Sequence, residues 1–424
     1  MKSKVYSNIG ENVFWGKTGN GLRVCVVKKP GYAKKYAYFA TNYGGADRRF
    51  KYSGKWTDTP AGVAHFLEHK MFDMPYGNAL NRLSENGASP NAYTSLDLTA
   101  YHFECVEKFE ENLKILLNFV TTPYFTEESV RKEQGIIGQE IGMINDTPST
   151  EMYYGLLRCL YRENPIRYNI AGTVESISEI TPDVLNKCHR VFYNPGNMIL
   201  CVVGDVDENE VFKIASEEVT SPEGEVPQRD YGSDDAKYPF ERHFEKNMMV
   251  SAPIFMSGSK CDIKSGGEEY IKSLYIGQLS VNLLMGNSSP LYERMYSSGI
   301  INSSFLSEFE SVAGASYIAF GGESGNYERV IEEVCLEAER IAADGFDRAY
   351  FDRAKKAMLG QEIRGLNGFD NICYNVAKGA FNGYDPFESV GAVKNVDESD
   401  VLDFIGKYFS GDVLASSVIK PVER

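Results

Sequence analysis

The chain has 424 residues, 43% hydrophobic and 24% charged, which is ordinary for a globular protein and too long for one hydrophobic core. Its formal net charge of -15 argues against nucleic acid as the main partner, because a phosphate backbone would meet a repelling field. No segment approaches the roughly 20 consecutive apolar residues of a membrane-spanning helix, so no membrane partner is expected.

Met1 to Tyr6 is not followed by an apolar run, so a secretory signal is not expected. The 8 cysteines are scattered, with no Cys-x-x-Cys pair, and several sit in apolar runs. Reduced, buried thiols and a cytoplasmic location follow as the expectation. A hairpin is predicted from Val13-Phe14-Trp15 and Leu22 to Val27 around Asn20-Gly21, and a further strand from Tyr36 to Thr41. Pro60 and Gly62 precede a helix carrying two histidines. A second helix, Asn78 to Glu85, stops at Asn86-Gly87. Residues 91–104 read as strand, and helices are predicted over 107–120 and 126–145, the latter capped by Thr126 with Glu127 and Glu128 in its first turn. Met198 to Val203 is a continuous apolar strand closed by Gly204-Asp205, with a helix starting near Asp207.

Residues 221–238 are turn-rich and nearly free of apolar side chains. They divide the chain into domains 1–220 and 239–424 joined by a linker over 221–238. The two parts resemble each other. Gly138-Gln139-Glu140-Ile141 recurs as Gly360-Gln361-Glu362-Ile363, and Leu80 to Gly87 has a partner in Tyr292 to Gly299. The two matches keep their order and differ in spacing by about ten residues, a tolerable loop change, so a duplicated domain is expected. The second copy has no histidine where the first has two: the corresponding stretch is Gly277 to Val281.

Only 5 histidines occur. His65 and His69 are four apart, about 40° around one helix, so both imidazoles can reach one metal ion. Glu68 shares that side and can face a water bound to the metal without being a ligand. Catalytic zinc takes three protein ligands and leaves one position open. The next long helix offers Glu133 and Glu140, seven apart and on one face. Glu140 is assigned as third ligand and Glu133 as a supporting acid behind the ligands. Zinc acidifies water, and Glu68 takes its proton and returns it to a leaving amine. His102, His189 and His243 are read as structural, and so is Glu362, which has no histidines to join.

At these residues the chain resembles the M16 peptidases, the pitrilysin, insulinase and mitochondrial processing peptidase group. The resemblance rests on Gly62 to Phe72, Asn91 to Ser95 with Thr99-Ala100-Tyr101, Glu133 to Glu140, and Val203 to Val206. In finer texture it is similar to short bacterial insulinase-like proteins associated with elongation factor P modification. The resemblance implies an α+β fold of two homologous M16-type domains, each an antiparallel sheet with helices on one face, arranged as a clamshell. It implies zinc held by His65, His69 and Glu140, catalysis by Glu68 with Glu133, and a substrate backbone paired to the strand at Asn91-Ala92.

The second domain departs from the family pattern. Arg294 falls at or near the position of an arginine that grips substrate, but Gly299 is followed by Ile300-Ile301-Asn302 where a tyrosine is expected. The resemblance therefore implies a zinc endopeptidase for peptides or unfolded segments, working as a homodimer or with a metal-free M16-like subunit. The alternatives are a zinc-bearing subunit of a heterodimeric processing complex with little or no activity alone, and a non-catalytic assembly subunit.

Overall fold

The computed structural model describes residues 1–234 and 237–422. Asp235 and Ala236 of the expected linker, and the last two residues of the second domain, lie outside the described residues. The first half runs β1 (Lys2–Tyr6), β2 (Glu11–Lys17), β3 (Arg23–Lys28), β4 (Lys35–Thr41), β5 (Arg49–Tyr52), β6 (Lys55–Asp58), α1 (Val63–Met71), a short ladder of β7 (Asp73–Met74) with β8 (Gly77–Asn78), and α2 (Ala79–Glu85). It continues with β9 (Ser89–Thr94), β10 (Thr99–Cys105), α3 (Phe109–Thr121), α4 (Glu127–Asn145), α5 (Pro148–Leu160), α6 (Val174–Ser178), α7 (Pro182–Phe192), β11 (Met198–Gly204) and α8 (Glu208–Glu218). After β12 (Gln228–Arg229) the second half repeats the pattern. It has β13 (His243–Met248), β14 (Ile254–Lys260), α9 (Gly267–Met285), α10 (Pro290–Ser297), β15 (Leu306–Val312) and β16 (Ala315–Glu323). It ends with α11 (Tyr327–Asp344), α12 (Arg348–Gly365), α13 (Phe369–Asn382), α14 (Ser389–Lys394), α15 (Glu398–Tyr408) and β17 (Ala415–Pro421).

The sheets show the duplication directly. The first has the order β1-β2-β3-β11-β4-β10-β9 and the second β13-β17-β14-β16-β15. The last five strands of the first sheet match the five of the second, down to one parallel pair in each, β3 with β11 and β13 with β17. The sheets are therefore mixed where wholly antiparallel sheets were expected. The stretch 91–104, expected as one strand, is a hairpin. Ser95 N donates to Leu98 O at 2.8 Å, and the Ser95 hydroxyl oxygen accepts from Leu98 N at 3.1 Å, which turns the chain between β9 and β10.

Side chains alternate across the first sheet with the period of two that a strand imposes. Val24, Val26, Phe39, Tyr101, Phe103, Leu200 and Val202 face the half's own helices, in one core with Phe66 and Leu67 of α1. Cys25, Val27, Tyr36, Tyr38, Ala100, Cys201 and Val203 face the other way. That second face is covered by α13 from the other half, through Phe369, Ile372, Cys373 and Val376. The exchange is mutual, since Met152, Leu156, Leu157 and Leu160 of α5 cover Met256, Tyr317, Ala319 and Ile419 of the second sheet. The expectation of helices on one face holds for each half's own helices, and the opposite face is closed by a helix from its twin.

The connecting segment is tied down as well. Gln228 and Arg229 pair with β5. Arg229 Nε and the Tyr231 hydroxyl each donate to Asp47 Oδ1 at 2.8 Å, while Gly44 N donates to Asp47 Oδ2 at 2.9 Å. A Cβ at Gly44 would run into backbone atoms of Leu96 and Asp97, so only glycine fits there. Among the described residues no helix is long and apolar enough to cross a membrane.

The helix exchange carries a stability prediction. Leu156 is fully buried on α5, and its side chain lies over Gly258 of β14. Leu156→Ala should cost about 2–5 kcal/mol in chemical denaturation. Faster amide hydrogen exchange should then appear in β14 of the second half, although the substitution is in the first. A loss confined to the first half would contradict the exchange.

Candidate metal centre

Helix α1 begins at Gly62, whose φ of 96° is the left-handed conformation that favours glycine, and a Cβ there would meet the Ala171 carbonyl oxygen at 2.6 Å. From that start, Val63, Ala64, Phe66, Leu67, Lys70 and Met71 turn into the core. The helical period leaves His65, Glu68 and His69 together on the remaining face. Helix α4 is set by a capping box in which Thr126 and Ser129 bond each other's backbone. Its buried Val130, Ile137 and Ile141 seat it, and Gln134 Nε2 ties it to the Ile177 and Ile180 carbonyls. Glu133 and Glu140, beside that apolar row, are thereby aimed at α1.

The two helices bring four of the five expected side chains into direct contact. His65 Nε2 lies 3.5 Å from Glu140 Oε1, and His69 Nε2 lies 3.8 Å from Glu140 Oε2. His69 Nδ1 is 3.0 Å from Glu133 Oε1. The fifth, Glu68, accepts a hydrogen bond from the Thr94 hydroxyl at Oε2, 3.0 Å. Ligand atoms of His65, His69 and Glu140 lie within 4.8 Å of one another, the only such group of His, Cys, Asp or Glu side chains among the described residues.

This spacing tests whether a metal fits. Contacts of 3.5 and 3.8 Å are longer than the roughly 2.7–2.9 Å of a charge-assisted hydrogen bond. Ligand atoms at about 2.1 Å from a tetrahedral zinc ion lie about 3.4 Å apart. Two imidazoles and one carboxylate therefore fit zinc by type, and the two separations from Glu140 match that spacing, with a fourth position left over.

The electrostatics are consistent with that fit. Burial, and then the neighbouring His69, push His65 down to about 4, so its ring is neutral and offers a lone pair. The hydrogen bond to Glu133 raises His69 against the effect of burial. Burial raises Glu133, but the bond to His69 and the ammonium of Lys70 outweigh it, so its carboxylate is held below its usual range. Lys70, 1% exposed, pairs with Asp73 and sits 3.7 Å from Glu133 Oε2. Burial raises Glu68 in spite of the Thr94 hydrogen bond, which makes it a better proton acceptor once ionised.

The remaining candidates lie elsewhere. Asn91 and Ala92 are on β9, the edge strand of the first sheet, where Ala92 N bonds the Asn91 side chain. Arg294 is on α10 and donates to Glu337 Oε2 at 2.6 Å; it shares no hydrogen bond or ion pair with the histidines. Glu362, the counterpart of Glu140, accepts from the Tyr275 hydroxyl at 2.8 Å. Tyr275 and Glu362 line a cavity of about 700 Å³ in the second half whose lining includes none of His65, His69 and Glu140. His189 bonds the Val120 carbonyl, His243 the Ser416 hydroxyl, and His102 stacks on Tyr38. Thr94 and Lys70 were not singled out from the sequence. Lys70 left a signal, because a lysine occupies a core position of α1. Thr94 left none, since nothing in its spacing marks a hydroxyl aimed at Glu68.

The chain as a whole is similar to known proteins. The insulinase (peptidase family M16) profile matches residues 53–174, and the peptidase M16 inactive domain profile matches residues 179–358. The uncharacterized zinc protease YmfH of Bacillus subtilis (strain 168) is 36% identical over 99% of both chains. The mitochondrial-processing peptidase subunit beta of Caenorhabditis elegans is 23% identical over 75% of this chain and 71% of its own. A crystal structure of an M16-like peptidase from Alicyclobacillus acidocaldarius superposes with a TM-score of 0.92, at 29% identity over 97% of this chain and 99% of that one.

Metal analysis by mass spectrometry should find about one zinc per chain. His65→Ala and Glu140→Ala should abolish that binding, and Glu133→Gln should weaken it about 10–100-fold by freeing the His69 ring. Full zinc occupancy in His65→Ala would place the metal elsewhere.

Proposed function

The chain belongs to the M16 peptidase family, and from that premise we propose that it is a zinc metalloendopeptidase that hydrolyses peptides or unfolded segments. One observation carries the reading: His65 Nε2, His69 Nε2 and the Glu140 carboxylate converge without bonding one another, and Glu68 lies one helical turn from His65 on the same face.

His65, His69 and Glu140 would hold the ion. Bound there, zinc supplies Lewis acidity toward water and toward a peptide carbonyl. The remaining work falls to the chain's own groups. Glu133 accepts from His69 Nδ1–H, which fixes the tautomer that presents Nε2 toward Glu140. Glu68 is held by Thr94 through Oε2, which leaves Oε1 to take a proton from the attacking water and hand it to the departing amine nitrogen. The outer edge of β9, at Asn91 and Ala92, offers backbone groups to an extended peptide, a mode that reads main chain more than side chains.

A second reading is favoured by the second half. Its Glu362 is held by Tyr275, its Arg294 by Glu337, and Ile300-Ile301-Asn302 follow Gly299 where a tyrosine was expected. On this reading the chain is the zinc-bearing subunit of a complex whose partner supplies the missing substrate contacts.

Glu68→Gln should keep zinc and fold while lowering peptide hydrolysis by about 10²–10⁴-fold. Wild-type rates in that variant would remove Glu68 as the base. The two readings separate in a peptide-library digest: activity of the purified chain alone supports the first, and activity only after a metal-free M16-like subunit is added supports the second.

A further inference from the structure

The turn between β9 and β10 is gripped by groups distant in sequence. Gly45 N donates to Ser95 O, and Ala46 N to Leu96 O, both at 2.9 Å. The Ser95 hydroxyl donates to Asp97 Oδ1 at 3.0 Å. The other oxygen, Asp97 Oδ2, is paired with the ammonium of Lys378 on α13. Both side chains are largely enclosed, 12% exposed for Lys378 and 18% for Asp97. Helix α13 is itself fixed by the apolar stripe that covers the first sheet, in a core that includes Leu98 of the turn.

Thr94 immediately precedes this turn. Its hydroxyl is the hydrogen-bond donor to Glu68 Oε2, and Thr99 on the far side of the turn reaches it through Thr99 Oγ1 to Thr94 Oγ1, 3.4 Å. A movement of the turn is therefore a movement of the hydroxyl that orients Glu68. Errors of about 1 Å in such groups cost up to two orders of magnitude in rate.

We propose that Lys378 is a positioning residue for Glu68: from the second half it clamps the Ser95–Leu98 turn through Asp97, and the turn holds the Thr94 hydroxyl on the Glu68 carboxylate. The proposal rests on the reading of Glu68 as the base. It gives the metal-free half a direct task at the site. The half without zinc ligands delivers a cation to the hairpin that lies against them, so the two halves must be docked before Glu68 is aligned.

The test uses the full-length zinc-loaded protein and the variants Lys378→Gln, Lys378→Arg, Thr94→Val and Lys378→Gln with Thr94→Val. Removing one partner of an enclosed ion pair leaves the other charge uncompensated. The double variant Lys378→Gln with Asp97→Asn is therefore included as a fold-preserving control. The first readout is amide hydrogen exchange at Gly45, Ala46 and Leu98, three of the amides bonded to the turn. It should accelerate in Lys378→Gln and return in Lys378→Arg, with β4 amides unchanged.

The second readout is kinetic. Lys378→Gln should lower kcat about tenfold or more with KM and zinc content within about twofold. Lys378→Arg should restore it, and Lys378→Gln in a Thr94→Val background should add almost nothing, because the two act in series. Unchanged exchange at the three amides, an unchanged kcat, or losses that multiply in the combined variant would each overturn the proposal. A wild-type chain that hydrolyses no peptide, alone or with a partner, overturns the proposed function and the kinetic half of this inference with it. The exchange readout then decides on its own whether Lys378 clamps the turn.

Discussion

Each half of this chain builds a sheet and covers one face with its own helices, then relies on a helix from the other half for the second face. Alternation in a strand forces apolar residues such as Tyr38 and Cys201 to the side opposite the main core. Left bare, that face would be an exposed apolar surface of the kind that folded chains avoid. Helices α13 and α5 close the two faces reciprocally. Neither half therefore covers both faces of its own sheet, and the turn between β9 and β10 carries an ion pair to a helix of the other half.

The cluster follows from that frame. Two imidazoles one turn apart are a local property of α1, but Glu140 comes from another helix some seventy positions later and must arrive within about 0.5 Å of a productive position. The seating of α4 by Val130, Ile137 and Ile141, and of α1 by Phe66 and Leu67, sets that approach. Behind the two imidazoles, Glu133 bonds the His69 ring, and the buried Lys70 stands beside Glu133. The duplicated half kept the fold and the carboxylate at Glu362, and a tyrosine hydroxyl now satisfies it.

The grouping of His65, Glu68, His69, Glu133 and Glu140 was legible in the sequence because its elements are periodic. His65, Glu68 and His69 are a pattern within five residues, and Glu133 and Glu140 a pattern within eight. The duplication was legible in two short matches that kept their order, and the strand orders of the two sheets bear it out. What could not be read depends on docking. The apolar stripe Phe369, Ile372, Cys373 and Val376 is that of any amphipathic helix, and nothing in it says that the sheet it covers belongs to the other half. The Lys378–Asp97 pair joins residues 281 positions apart. The segment 221–238 reads as an interdomain linker by composition, and the bonds of Arg229 and Tyr231 to the buried Asp47 leave no compositional trace.

The central claim is that one zinc ion is held by His65, His69 and Glu140, in reach of Glu68. Anomalous diffraction at the zinc absorption edge, on crystals of the purified full-length chain, tests it most directly. The account predicts a single peak at coordination distance from one nitrogen of each histidine and from the Glu140 carboxylate, with Glu68 outside that distance. A peak coordinated by Glu68 in place of Glu140, or zinc bound at any other set of residues while these three stay empty, would contradict it.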